Sequence, residues 1–229
     1  MTKVEEIIGR LNKLADPEYL ARNERFACPV EGSIGVSLPN LRKLAKEIGK
    51  SHELALELWQ QPIRDAKQLA ALIDEPEKVT EEQMDVWAND FDSWGLCDIT
   101  TTDLFDQTAF AYKKAIEWAG RDEEFVKRAA FSLMAGLAAH DKEADDEKFI
   151  EFLKIIKRES ADERNFVKKA ANWALRNIGK MRNRNLYEKA IQTAEEIQKT
   201  GSRPGRWIAA DALRELKSEP IKRRIEKMK

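Results

Sequence analysis

The sequence predicts an all-α protein in which helical pairs stack side by side, and three observations carry that prediction. Helical hydrophobic periodicity runs almost from one end of the 229 residues to the other. Composition agrees: ten glycines and seven prolines are few, while Ala, Leu, Ile, Glu, Lys and Arg dominate, the usage of many helices joined by short turns. Runs rich in Val, Thr and aromatics bounded by turn pairs, the usual hairpin signal, do not occur. The third observation is an internal repeat. Phe125-Val126-Lys127-Arg128-Ala129-Ala130 and Phe166-Val167-Lys168-Lys169-Ala170-Ala171 match at five of six positions and lie 41 residues apart.

A further 41 residues lands on Trp207-Ile208, followed by Ala-Ala-Asp-Ala over 209–212, which predicts a third copy opening a helix there. A period of about 40 to 47 residues built from two helices is the HEAT/armadillo signature. Small residues at recurring positions let neighbouring helices approach, and each pair buries its apolar side against the next. The expected fold is a superhelical solenoid of HEAT-like antiparallel helical pairs, one domain over residues 1–229, with its working surface on the concave inner face.

In chain order, MTKVEEIIGRLNKLAD is an amphipathic opening helix that ends at the Asp16-Pro17 break. Residues 28–39 (CPVEGSIGVSLP) carry two prolines and two glycines without helical character and read as an ordered loop. Arg64 to Ile73 repeats the basic-then-alanine character at a different offset, as insertions between repeats would produce. After the Glu75-Pro76 break, Thr80-Glu81-Glu82-Gln83 has capping-box spacing: the Thr80 hydroxyl can take the Gln83 N–H while Gln83 reaches back. A helix through Trp87 follows. Asp141 to Asp146 and Ser202 to Gly205 mark two later breaks, and the basic tail Pro220 to Lys229 reads as a frayed, solvated last helix, the alternative being a basic segment that touches phosphate.

Charge and cysteine usage exclude several classes. The net charge of −1 announces neither a nucleic-acid binder nor an acidic-substrate enzyme, although 40 basic residues could still be sorted onto one surface. Cys28 and Cys97 lack metal-ligand spacing, and two histidines do not complete a zinc set with them, so no metal is expected. His52 and His140 sit near helix ends as caps or surface residues. A reduced, cytoplasmic protein is the simplest reading. No apolar stretch reaches the length of about 18 residues that a membrane span needs, and no secretion signal is read.

Two constellations could carry chemistry. Lys169, Trp173 and Arg176 fall at i, i+4 and i+7 on one stripe of their helix, and Arg128 and Lys169 are equivalent positions on successive repeats. A basic stripe with an aromatic inside it suits phosphate and sugar; the same spacing is met by a solvated face whose tryptophan is covered by lysine stems. Trp94 and Asp98 are also i, i+4, which places an indole face beside a carboxylate and suits a cationic or electron-poor group. The alternative makes Trp94 a core residue and Asp98 a partner for a neighbouring arginine. Trp59, Trp87, Trp118 and Trp207 are assigned to core or inter-repeat packing, with Trp207 the one that could face a ligand.

FDSWGLCD, FVKRAAFSLMAGLAAHDK, DERNFVKKAANWALRNIGK and RWIAADALREL, with LARNERF and GVSLPNLRKLAKEIGK upstream, together resemble the bacterial DNA alkylation repair enzymes built from HEAT-like repeats. That family includes alkylpurine DNA glycosylases, and the similarity covers nearly the whole chain. In its characterised glycosylases a Trp and an Asp four residues apart, an Arg before an Ala pair and a Trp on the next repeat line the DNA-binding concave face. The resemblance implies that Asp98 is the catalytic carboxylate, that Arg128 grips backbone phosphate, and that Trp94 and Trp173 pack on the deoxyribose beside the lesion. Lys127, Lys168, Lys169 and Arg176 join Arg128 as expected phosphate contacts.

The implied activity is monofunctional hydrolysis of the N-glycosidic bond of positively charged alkylated purines, the 3-methyladenine and 7-methylguanine class, leaving an abasic site. It needs no cofactor, and the partner is double-stranded DNA containing alkylated bases, bound by a monomer. The sequence departs from the pattern at Gly95, inside the expected helix at a cost of about 1 kcal/mol relative to alanine. It departs again near Asn23-Glu24-Arg25-Phe26, where active relatives present an aromatic to DNA. A non-catalytic binder of damaged or branched DNA uses the same face, and a protein-interaction scaffold uses the same fold.

Overall fold

A computed structural model describes residues 2–25 and 27–228, so Phe26 and the final Lys229 of the tail lie outside the described residues. Among the described residues there are fourteen α-helices, one 3-10 turn and no strand. Their contacts gather into two compact units, one ending at Ala109 and the other beginning at Phe110.

The first unit holds α1 (Lys3–Lys13), α2 (Pro17–Arg25), α3 (Leu38–Ile48), α4 (His52–Trp59), α5 (Arg64–Ile73), α6 (Glu81–Asn89), α7 (Trp94–Asp103) and the 3-10 turn Phe105–Gln107. Helices α3, α5 and α7 pack in succession, and α4 lies against α5. Trp59 of α4 and Trp87 of α6 stack nearly parallel, ring centroids 3.8 Å apart, with both side chains buried. The Trp59 Nε1–H donates to Asp90 at 2.9 Å, so this indole is both core and anchored.

The second unit holds α8 (Ala111–Trp118), α9 (Glu124–His140), α10 (Asp146–Arg158), α11 (Asn165–Met181), α12 (Arg184–Lys199), α13 (Arg203–Leu216) and α14 (Glu219–Glu226). Here the helices alternate between two layers: α9, α11 and α13 pack in succession in one, α8, α10 and α12 in the other. The 41-residue repeat is the reason for that order. Ala129, Ala130, Ala170, Ala171, Ala209 and Ala212 are all buried, and such small residues let α9, α11 and α13 approach one another. Phe125 and Phe166, equivalent positions of two repeats, lie 5.4 Å apart by ring centroid.

Two local expectations change. Thr80 caps α6 by accepting the Gln83 N–H at 3.1 Å, but the Gln83 side chain donates to the buried Asp74 at 2.7 Å and does not reach back. A complete capping box stands instead at Thr2 and Glu5, opening α1. The third repeat helix begins at Arg203, with Ser202 as cap and Pro204 in the first turn, so Trp207 stands in its second turn and does not open it.

Candidate functional site

Helix α7 carries Trp94 and Asp98. Ser93 begins it by accepting the Leu96 N–H at 3.3 Å. Three consecutive threonines fix its far end: the hydroxyls of Thr100, Thr101 and Thr102 donate to the carbonyls of Leu96, Cys97 and Asp98, each at 2.8 Å. Leu96, Cys97 and Thr100 are buried, while Trp94 and Asp98, one turn apart on the other side, are half-buried. Both line a cavity of about 230 Å³ together with residues of α2, α3, α5 and the 28–36 loop. Gly95 is the second residue of α7, in the first turn, where the full interior penalty does not apply. A Cβ there would stand 3.5 Å from Cys28 Sγ and 3.6 Å from Gln68 Nε2, ordinary contact distances.

Two adjacent residues at the start of α5 build the cavity's outer wall. The Arg64 guanidinium is buried and donates to the carbonyls of Pro29 at 2.6 Å and Glu31 at 2.8 Å, and to both carboxylate oxygens of Asp92. Asp65 accepts from the Ser33 hydroxyl at 2.7 Å and from the backbone N–H groups of Ile34 at 2.9 Å and Val36 at 2.7 Å. The Pro/Gly-rich segment is thus an ordered loop, held from one side by a cation and from the other by an anion. Burial lowers the Arg64 pKa, but its bond to Asp92 more than offsets this and the net shift is upward. Burial likewise raises Asp92, yet the Arg64 bond holds it below its ordinary value. Gly35 is required here: its φ is +83° and a Cβ would stand 2.6 Å from the Asp16 carbonyl oxygen.

Tyr19 of α2, Asn23 and Gln68 also line the cavity, and their side chains make no hydrogen bond among the described residues. Tyr19 is an N-terminal aromatic that shares a space with Trp94 and Asp98. In sequence it is one aromatic in a polar helix, and only the packing of α2 near α7 distinguishes it.

The remaining candidates belong to the second unit, and most are engaged there. Arg128 is buried at 6% exposure and donates to the Phe166 carbonyl at 2.8 Å, tying α9 to the start of α11. Lys127 lies between Glu159 at 2.7 Å and Asp162 at 3.3 Å. Arg176 pairs with Glu215 and, at 3.7 Å, with Asp211. Trp173 is half-buried and Lys169 exposed on α11. The Lys168 ammonium stands 5.0 Å from the ring centre of Trp207, which is 41% exposed. His52 bonds Asp74 at 2.7 Å beside the start of α4, and His140 is exposed at the end of α9. Among the described residues no group of histidines, cysteines and carboxylates could hold a metal ion, and no helix is long and apolar enough to cross a membrane.

An all-helical fold whose second unit stacks helices of a 41-residue repeat in two layers is the architecture of a HEAT-like-repeat protein. The family model for the DNA alkylation repair enzyme matches residues 7–216, and the chain belongs to that family. An uncharacterized protein of Listeria innocua is 23% identical over 203 residues, covering 87% of this chain and 88% of its own length. A solved structure described as a new family of proteins related to the HEAT-like repeat DNA glycosylases, with affinity for branched DNA structures, superposes with a TM-score of 0.78. It is 20% identical and covers 93% of this chain and 95% of its own, a likeness of fold.

Proposed function

We propose that this protein binds DNA and hydrolyses the N-glycosidic bond of positively charged alkylated purines, with Asp98 as the catalytic carboxylate. The observation that carries the reading is the placement of Trp94 and Asp98 one turn apart on α7, both opening into one cavity that Tyr19 also lines. Membership of the DNA alkylation repair enzyme family supports alkylated DNA as the substrate.

An N3- or N7-alkylated purine already carries positive charge and departs without general-acid help. What remains is the sugar. As the C1′–N bond stretches, the deoxyribose gains oxocarbenium character, and a carboxylate fixed near C1′ stabilises that charge more in the transition state than in the ground state. Asp98 fills that role and orients the attacking water, while Trp94 packs on the sugar C–H groups; Trp173 is proposed separately as a sugar contact of the second unit. Tyr19 is the N-terminal aromatic of the set. No Schiff-base lysine is required, so the product is an abasic site in an unbroken strand. The reading takes residues 1–229 as one HEAT-like domain, supported by a family match over residues 7–216 that runs through both units, and takes it to act as a monomer. Of the cations expected on phosphate, Lys169 and Lys168 fit best, because Arg128, Lys127 and Arg176 already bond within the protein.

Asp98→Asn keeps the shape and removes the charge. It is expected to lower release of 7-methylguanine or 3-methyladenine from methylated duplex DNA by at least about 100-fold, the order seen when one electrostatic group is removed, with affinity nearly unchanged. Wild-type protein that binds the same DNA and releases no base sinks the catalytic claim. A second reading, a non-catalytic binder of branched DNA, is favoured by the likeness to the structure with affinity for such DNA. It predicts tighter binding to junctions than to methylated duplex, and indifference to Asp98→Asn.

A further inference from the structure

One aromatic in the second unit is open to solvent and unused by the pocket on α7. Trp207 is 41% exposed, whereas Trp59, Trp87 and Trp118 are buried. It falls 41 residues after Phe166, as Phe166 does after Phe125, but stands one turn further into α13 than those phenylalanines do into α9 and α11. The Lys168 ammonium stands over the indole, 5.0 Å from the ring centre. Around it lies an open hollow of about 330 Å³ lined by Lys168, Arg203, Pro204, Trp207 and Glu163. Lys168 and Arg203 bond no carboxylate among the described residues, unlike Lys127 and Arg176. The exposed Lys169 adds a third such cation on α11.

We infer that this hollow is a binding site for unpaired nucleotides, with a base stacked on Trp207 and the adjoining phosphates held by Lys168 and Arg203. Two features select that occupant. An exposed indole needs a flat partner whose face is free, and bases within a duplex have both faces covered by their neighbours. The flanking charge is net cationic, Lys168 and Arg203 against the single carboxylate of Glu163, which suits a phosphate backbone, and the combination of an aromatic platform with basic groups is how single strands are held without sequence preference. The site deepens the DNA-binding reading above: it gives the protein a grip on the single-stranded arm of a branch or flap, apart from the Trp94–Asp98 cavity.

The test compares full-length protein on two DNAs of equal length, a blunt duplex and the same duplex with a single-stranded arm, by fluorescence anisotropy. Wild-type protein is expected to prefer the armed DNA. Trp207→Ala should lose about 10-fold on it, in line with the stacking of one base, and less than about twofold on the blunt duplex. Trp207→Phe should restore most of the loss and Trp207→Leu little, which separates stacking from apolar burial. Lys168→Ala should weaken the same DNA and flatten its salt dependence. Equal affinity of the wild type for both DNAs, or equal losses on both in Trp207→Ala, overturns the inference and leaves the DNA-binding reading standing. A wild type that binds neither DNA overturns both.

Discussion

Arg64 shows how much one guanidinium can organise once it leaves water. Its side chain is 4% exposed, and its donors are divided between two loop carbonyls and the Asp92 carboxylate. Removing it leaves two carbonyls and a carboxylate without their partner, so Arg64→Ala is expected to cost about 3 kcal/mol by urea unfolding and to raise amide exchange across residues 28–36. Arg64→Lys keeps the charge and loses the fork, and should recover less than half of that. A Lys variant as stable as wild type would mean that charge alone holds the loop. None of this shows in the sequence, where Arg64 merely opens an alanine-rich stretch. Its partners lie 28 to 35 residues away and share no periodicity with it. Trp94 and Asp98 were legible because a four-residue spacing on a helix puts them on one face whatever surrounds them. Tyr19 was not, because its place beside that face depends on how α2 packs.

At the scale of elements, the second unit's two layers follow from the repeat, and the alanines of FVKRAA and FVKKAA were readable as packing positions since only small residues suit close helices. The fate of the repeat's cations was not readable. Lys127 is held by Glu159 and Asp162 in the α10–α11 connection, 32 and 35 residues on. Burial pushes the Asp162 carboxyl up, but side-chain and backbone hydrogen bonds from Arg164 and the bond from Lys127 outweigh it and leave the pKa at about 2, against an ordinary 3.8. Because the folded value is depressed, the unfolded chain binds more protons in between. The stability this carboxylate contributes is present above about pH 4 and is lost as pH falls through about 2. Asp162→Asn should therefore unfold about 1–2 kcal/mol more easily than wild type at pH 7, and the two should converge near pH 2. A gap that persists unchanged at pH 2 would show that the aspartate acts through packing and not through its charge.

Across the whole molecule, charge is abundant and almost cancelled, with 40 basic against 41 acidic side chains. Net charge therefore gives DNA no overall attraction, and on the proposed reading affinity depends on where the cations left outside internal ion pairs are placed. The sequence shows the density of charge and its helical stripes but not the pairing, since ion pairs such as Arg176–Glu215 and Lys157–Glu196 join residues 39 apart. The division near Ala109 and Phe110 is equally unmarked, because no proline or glycine stands there. Salt dependence turns this reasoning into a count. Each phosphate contact adds about 0.9 to the slope of log affinity against log salt on duplex DNA. Lys169 is exposed and bonds no carboxylate among the described residues, so Lys169→Ala should weaken duplex binding and flatten that slope by about one contact's worth while leaving the unfolding midpoint in place. Lys127→Ala should do the reverse, lowering stability through Glu159 and Asp162 with the slope unchanged. If Lys127→Ala flattens the slope as much as Lys169→Ala, the internal ion pair opens on DNA and the paired cations must be counted among the contacts.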